Sequence, residues 1–459
     1  MTTLHPAMEI VSRIEPMRFT GRVESLRGLS VLARDLPVPV GSLVRIGGAG
    51  QARGGIGAAE SLGEVVGFDG PGTIVMMLGS CAGIRPGDRV VALHAQQAIG
   101  VGSQLLGRVI DGLGRPIDGR GPVHGLSPRA LDPEPLSPLL RAPVRQPLPT
   151  GVRAIDLFAT LGRGQRMGVF AGPGVGKSTL LGCIARNCAS DVSVIALIGE
   201  RGREVRDFIE HNLGPKGLRR SVVVCATSDE SPLLRARAAL AASAVAEYFR
   251  DQGASVMLIM DSLTRFAHAR RQIGLAVGEP PATRGYTPSV FAALARLLER
   301  AGAIDGASGG GSITGMYSIL VEGDDMTEPV ADAARGILDG HIMLSRALAQ
   351  RAHYPAIDVL DSVSRVADDV CEPAHAAARR QLVRLLAEYA KVEDLLQIGA
   401  YAKGSNAAAD VAIRYHEQIR SLLVQEPREA EPFEAARTRM MKLAVEAGAA
   451  LQAAQGKRS

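Results

Sequence analysis

The run Ala171-Gly172-Pro173-Gly174-Val175-Gly176-Lys177-Ser178 stands between an apolar stretch, Met167 to Phe170, and an amphipathic one, Thr179 to Asn187. Strand, glycine-rich turn and helix in that order make a phosphate-binding loop, because backbone N–H groups aimed out of a helix N-terminus cradle polyphosphate oxygens. In that setting Gly172, Pro173, Gly174, Val175 and Gly176 form the cradle, followed by Thr179. Lys177 reaches the β- and γ-phosphates, and the Ser178 hydroxyl ligates the Mg²⁺ that bridges them. The pattern asks for Gly where Ala171 stands, a methyl group that the first turn accommodates. A ligand-free turn is the alternative; the intact Gly-Lys-Ser with strand and helix patterns on both sides argues against it. The chain is expected to bind a nucleoside triphosphate on an α/β fold.

At 459 residues the chain exceeds one ordinary core, and its 46% hydrophobic and 22% charged residues are those of a globular protein. Short Val- and Ile-rich runs between Phe19 and Leu93 (21–23, 42–46, 63–66, 73–76, 88–91), punctuated by Gly and Pro, predict a small β-barrel over 19–94. Ahead of it, Ile10, Ile14 and Met17 suggest an amphipathic helix in an arm at 1–18, a packing or partner element. Over 95–372 strands alternate with helical patterns, which predicts a mostly parallel sheet with ligands beyond its carboxyl ends. Ser308-Gly309-Gly310-Gly311 reads as a flexible loop, and after Pro373 strand signals give way to a helical domain over 373–459, with helices at Ala376 to Leu396 and Ala409 to Val424. No apolar run approaches the roughly 18 residues of a membrane span, and no secretion signal leads the chain, so a cytoplasmic protein is expected. The five cysteines and nine histidines show no metal-ligand spacing, and a net charge of +5 says little about partners.

The strand Val256 to Met260 ends in Asp261, which places a carboxylate beside the loop to hold Mg²⁺, partly through water; a turn-capping aspartate is the alternative. Ser262 follows where many ATPases carry a catalytic glutamate, so the water-activating carboxylate must come from elsewhere. Glu200 is the candidate, at the carboxyl end of the strand Val194 to Ile198, with Arg201 next to it to orient it or meet developing charge. A solvated charge cluster is the bland reading. Arg365, in a loop-like run past the sheet, is either an arginine finger for a neighbouring subunit or a surface salt bridge. Tyr354 either stacks on the base or fills the core.

Two longer runs, Leu105-Leu106-Gly107-Arg108-Val109-Ile110-Asp111-Gly112-Leu113-Gly114-Arg115-Pro116-Ile117-Asp118-Gly119 and Thr150-Gly151-Val152-Arg153-Ala154-Ile155-Asp156, resemble signatures of the hexameric rotary-type ATPases. That group takes in the catalytic subunits of ATP synthases and vacuolar-type ATPases and the ATPases of flagellar and virulence type III protein export. The resemblance spans Phe19 to about Val424. It implies a RecA-like ATPase core, ATP and Mg²⁺ as ligands, nucleotide roles for Lys177, Ser178, Glu200, Arg201 and Asp261, a trans role for Arg365 and an adenine-side role for Tyr354. It also implies a homohexamer, a central stalk protein touching the carboxyl domains and the loop around Tyr286, a regulatory dimer on the leading arm, and chaperone and cargo proteins at a membrane export gate. The chain is then expected at the cytoplasmic face of the inner membrane.

Within the group, Leu320 to Asp332 and Ile337 to Ile342 resemble the export ATPases, and Glu388, Glu393 and Asp394 do not make up the acidic shaft-contacting motif of synthases. The loop Gly278 to Phe291 resembles the flagellar branch; the virulence branch is the runner-up. An RNA translocase is the alternative from another class. It needs an aromatic platform and a basic groove on its barrel, whereas residues 1–95 hold only Phe19 and Phe68 and their basic residues are dispersed. A non-hydrolysing structural subunit is the third reading, and retention of both Lys177 and Glu200 speaks against it.

Overall fold

A computed structural model describes residues 19–47, 61–94, 97–306, 309–321 and 325–456. The leading arm, Ser308, and Glu322 to Asp324 of the export-type motif lie outside the described residues. Six antiparallel strands close into a barrel: β1 (Thr20–Arg27), β2 (Ser30–Arg34), β3 (Leu43–Gly47), β4 (Ser61–Asp69), β5 (Gly72–Met77) and β6 (Arg89–His94), in the order β1-β2-β5-β4-β3-β6. Alternate side chains, among them Val23, Val31, Ala33, Val44, Ile46, Val65, Val75 and Val90, fill the interior, as a period of two requires. The sequence suggested five short runs and missed β2. A two-residue turn with Gly28 at φ 61° folds β2 straight back on β1, so the two strands leave no loop-like spacer between them.

The barrel is joined to the rest through a buried ion pair: Arg237 donates to Glu64 of β4 at 2.6 Å, both side chains under 10% exposed. Burial is the main force raising the Glu64 carboxyl above its ordinary value, and the charge of Arg237 opposes it.

The central sheet has ten strands. Along its main path run β7 (Val109–Asp111), β8 (Arg166–Ala171), β9 (Val192–Glu200), β10 (Ser221–Thr227), β11 (Ser255–Asp261), β12 (Ser312–Leu320), β13 (Gly340–Leu344) and β14 (Ile357–Ser364). Their spatial order is β14-β13-β8-β12-β11-β9-β10-β7, and every neighbour on that path is parallel except β13 and β14. Both faces are covered, so the strands read as continuous apolar runs rather than alternating ones. Val192, Val194, Ala196 and Ile198 face one core with the helices α2 (Pro232–Asp251), α3 (Leu263–Ala276) and α4 (Pro288–Leu298). Ile195 and Leu197 face the other core, which contains α1 (Lys177–Asn187) and the helical domain: α5 (Pro373–Ala390), α6 (Ala407–Leu423) and α7 (Phe433–Gly456). The helical domain therefore packs on the face that carries the phosphate loop.

Three expectations change. The first carboxyl-domain helix ends at Ala390 and resumes as a short helix over Glu393–Gln397, where a single helix to Leu396 was expected. Asp361 to Ser364 belong to β14, so Arg365 follows an edge strand and not a loop. The glycine run at 309–311 includes a tight approach: a Cβ on Gly311 would sit 1.9 Å from the Arg250 carbonyl oxygen, so that position is packed backbone.

Candidate active site

The phosphate loop leaves β8 at Ala171 and enters α1 at Lys177. Gly174 and Gly176 take φ of 79° and 92°, a region that L side chains rarely adopt, and the turn depends on them. Lys177 points across the cradle. Its Nζ donates to Asp261 Oδ1 and lies 3.8 Å from Glu200 Oε1. The Ser178 side chain is exposed at the start of α1.

Asp261 arrives at the carboxyl end of β11, two strands from β8, and its side chain is only 3% exposed. Ser318 of the intervening β12 donates to the same Oδ1 at 2.6 Å. Glu200 ends β9 three residues past Leu197, which is in register with Asp261, and both carboxylates reach Lys177. Gly199, at φ 68°, makes the kink that delivers it, and a Cβ there would lie 3.0 Å from Arg265 Cβ. Burial is the main force pushing the Glu200 carboxyl up to about 7; the Asp261 charge adds to the rise and Lys177 opposes it. Glu200 also shares a hydrogen bond with Glu204. Burial works to raise the Glu204 carboxyl, but its hydrogen bonds to Glu200 and Arg201 leave it below its ordinary value.

Lys177, Glu200 and Asp261 therefore converge, with Ser178 one residue beyond Lys177. Arg201 does not join them. It is 79% exposed and pairs with Glu204 at 2.8 Å, so Glu204 stands between it and Glu200. The backbone explains this: Arg201 caps the helix Gly202–Asp207, which turns its side chain along that helix and away from the strand end.

Tyr354, 43% exposed, lies alongside the loop; a Cβ on Gly176 would be 3.7 Å from its ring. It lines a cavity of about 260 Å³ with Val175, Thr179, Leu180, Gln425 and Pro427. The ring is a wall of a slot beside the cradle, and not core filling. Arg365 is elsewhere. Its N–H donates to the Asp339 carbonyl at 2.9 Å, and Asp339 N–H in turn bonds Arg166 at the opposite end of β8 from the phosphate loop. At ~3.3 Å per residue, roughly 17 Å of strand separates them. Arg365 is exposed, its side chain reaches the Arg335 carbonyl at 3.4 Å, and among the described residues no carboxylate pairs with it.

Sequence reasoning missed five contributors. Ser318 is an unremarked serine in an apolar strand. Glu204 lies one helical turn past Glu200 in a run of charges that does not single it out. Arg265 packs over Gly199, and among the described residues its buried Nε has no hydrogen-bond partner; its place in the first turn after Asp261 is a usable signal. Gln425 and Pro427 come from the helical domain, far along the chain, and nothing local marks them.

The chain matches the ATP synthase alpha/beta family, nucleotide-binding domain, over residues 151–364, and the T3SS EscN ATPase C-terminal domain over 371–442. It is 51% identical over 420 residues to the flagellum-specific ATP synthase of Treponema pallidum, covering 92% of each chain. It is 50% identical over 402 residues to the type 3 secretion system ATPase of Xanthomonas euvesicatoria, covering 86% of this chain and 90% of that one. Among solved structures it is similar to the assembled ATPase EscN of the enteropathogenic E. coli type III secretion system, at a TM-score of 0.84 and 41% identity, over 92% of this chain and all of that one. A similar match is EscN in complex with its central stalk EscO, at a TM-score of 0.83. On fold, nucleotide-binding domain and near full-length identity, this chain belongs to the family of flagellum-specific ATP synthases and type 3 secretion system ATPases.

Proposed function

We infer that this chain hydrolyses ATP in a closed ring of six identical copies, at clefts shared by adjacent copies, and that the energy drives flagellar protein export. Supporting the shared cleft is the position of Arg365: it is exposed and roughly 17 Å of strand from the phosphate loop of its own chain. No arginine side chain spans that gap, so its partner nucleotide belongs to a neighbour. The assembled state of EscN supports the ring.

Ser178 and Asp261 are hard oxygen ligands of the kind Mg²⁺ takes, and among the described residues both hydrogen bonds to the Asp261 carboxylate fall on Oδ1. Held by Ser178 and Asp261, Mg²⁺ would supply positive charge to offset the negative charge that develops on the phosphates. Lys177 turns from Asp261 to the β- and γ-phosphates as they enter. Gly172, Gly174, Val175 and Gly176 present backbone N–H groups with Pro173 shaping the turn between them, Thr179 and Tyr354 flank the base end, and Tyr354 stacks on adenine. Glu200 accepts the proton of a water that attacks the γ-phosphorus while the bond to the β–γ bridging oxygen breaks, releasing ADP and phosphate. Arg365 of the adjacent copy meets the charge on the transferring group. Arg201 acts on this centre only through Glu204.

We read the units as an arm at 1–18, a barrel at 19–94, the ATPase domain at 95–372 and the helical domain at 373–459. A stalk protein in the ring's hole would meet the helical domain near Ile398, which is 75% exposed. At the other loop its contacts would be Pro281 to Arg284, because Tyr286 is buried and donates to Glu328 at 3.0 Å. The regulatory dimer on the arm, the export gate, the chaperone and cargo proteins and the place at the cytoplasmic face of the inner membrane complete the reading. Among the described residues no helix is long and apolar enough to cross a membrane. Virulence export is the second reading, supported by the type 3 secretion relative at 50% identity.

The test is turnover per chain against concentration, with particle mass measured in the same samples. Specific activity rising with the ring fraction is expected; equal activity in monomers would reject the shared cleft. Restored motility in a strain lacking its flagellar export ATPase would separate the two export systems.

A further inference from the structure

Gln425 follows α6 and belongs to the helical domain, and it is 8% exposed. Its Oε1 accepts from the N–H of Arg153 at 2.9 Å, and its Nε2 donates to the carbonyls of Gly151 at 2.8 Å and Glu429 at 3.0 Å. Its backbone N–H donates to the carbonyl of Tyr354 at 2.9 Å. One residue of the helical domain thus holds two separate segments of the nucleotide-binding domain, 151–153 and 354.

Arg153 returns the contact. It is 5% exposed, its Nε donates to the carbonyl of Leu422 at 3.1 Å, and a terminal nitrogen donates to the carbonyl of Val424. These carbonyls lie at the carboxyl end of α6, where unpaired acceptors and the helix dipole favour a cation. Glu429 and Glu431 pair with the same guanidinium, the second at 3.2 Å. The wall that Gln425 and Pro427 present to the Tyr354 cavity is fixed by this set of bonds.

We propose that Gln425 is a positioning residue for the nucleobase end of the site, setting the width of the slot between Tyr354 and the helical domain. The proposal rests on reading the Tyr354 cavity as the base site. The Gln425 amide already has its acceptor and two of its donors engaged by protein, so it acts through the wall it holds and not by reading the edge of the base. Linkage makes the relation reciprocal: whatever the slot gains from a seated helical domain, that domain gains from a bound base.

Gln425→Met keeps the volume and removes the three side-chain hydrogen bonds. Displacement of a fluorescent ATP analogue is read with ATP and with inorganic tripolyphosphate, which occupies the cradle but has no base. The variant is expected to bind ATP about tenfold more weakly, with tripolyphosphate unchanged. In the wild type, ATP but not tripolyphosphate is expected to slow hydrogen exchange over residues 407–456. Equal weakening for both ligands would mean Gln425 is only a structural post, and no weakening for either would also overturn the proposal. Tyr354→Ala is the control: if it leaves the ATP-to-tripolyphosphate ratio at the wild-type value, the base-site reading itself has failed.

Discussion

The ammonium of Lys177 sits 3.8 Å from the carboxylate of Glu200 while bonding that of Asp261, so one cation stands among two acids at the carboxyl edge of the sheet. Phosphates entering the cradle compete for that cation. Lys177→Ala is expected to abolish both tight nucleotide binding and hydrolysis. Glu200→Gln keeps the shape and should retain binding while turnover falls at least about a hundredfold. Single-turnover assays alongside binding measurements check both. Wild-type rates in Glu200→Gln would reject it as the base.

Arg365→Ala should lose turnover by about a thousandfold, the scale of an arginine finger. Mixed with Lys177→Ala chains, which lack a working cradle but keep the guanidinium, part of the activity should return, because some clefts then combine an intact cradle with an intact finger. Absence of recovery in mixed rings would contradict action across the interface.

The Glu64–Arg237 pair joins the barrel to α2 with both side chains nearly out of solvent. Removing one member strands the other charge, so Arg237→Ala is expected to lower stability by ~3–5 kcal/mol. The double replacement Glu64→Leu with Arg237→Met should lie much closer to the wild type, since it removes both desolvated charges. Urea unfolding of the three proteins decides it; a double replacement no more stable than Arg237→Ala would show that a stranded charge is not what the single variant suffers from.

Five of the described histidines resist protonation in the folded chain. Burial, and after it the charges of Arg271, Arg265 and Arg235, hold His268 down at about 4. Burial is likewise the main force lowering His341, His353, His375 and His416. Unfolded histidine takes its proton near pH ~6.5, so between there and about 4 the unfolded state binds more protons at His268. The stability is fully present above that upper limit and is lost as the pH falls through the window. His268 stacks on Tyr286 at a ring separation of 6.0 Å, which His268→Phe can preserve. The drop in Tm between about pH 7.5 and about pH 5 should be ~3 °C smaller in that variant. An unchanged drop would remove His268 from the acid limb.

Much of the architecture was legible because its signals are local. A glycine that must take positive φ, a lysine and hydroxyl at the head of a helix, and apolar strands ending in Glu200 and Asp261 are set by adjacent residues, and the structure brings Lys177, Glu200 and Asp261 to one place. The missed strand β2 and the split at Ala390 show the limit of run-length reading where a tight turn or a short break leaves periodicity almost intact.

The sequence by itself determined the cradle, the parallel sheet behind it and the acids at its edge, because hydrophobic period and glycine placement act over a few residues. Only the tertiary structure decided that Ser318 backs Asp261 and that Gln425 walls the slot beside Tyr354. Those contacts join segments up to hundreds of residues apart in the chain. They arise from strand order and from the helical domain packing onto one face of the sheet, which no local pattern encodes.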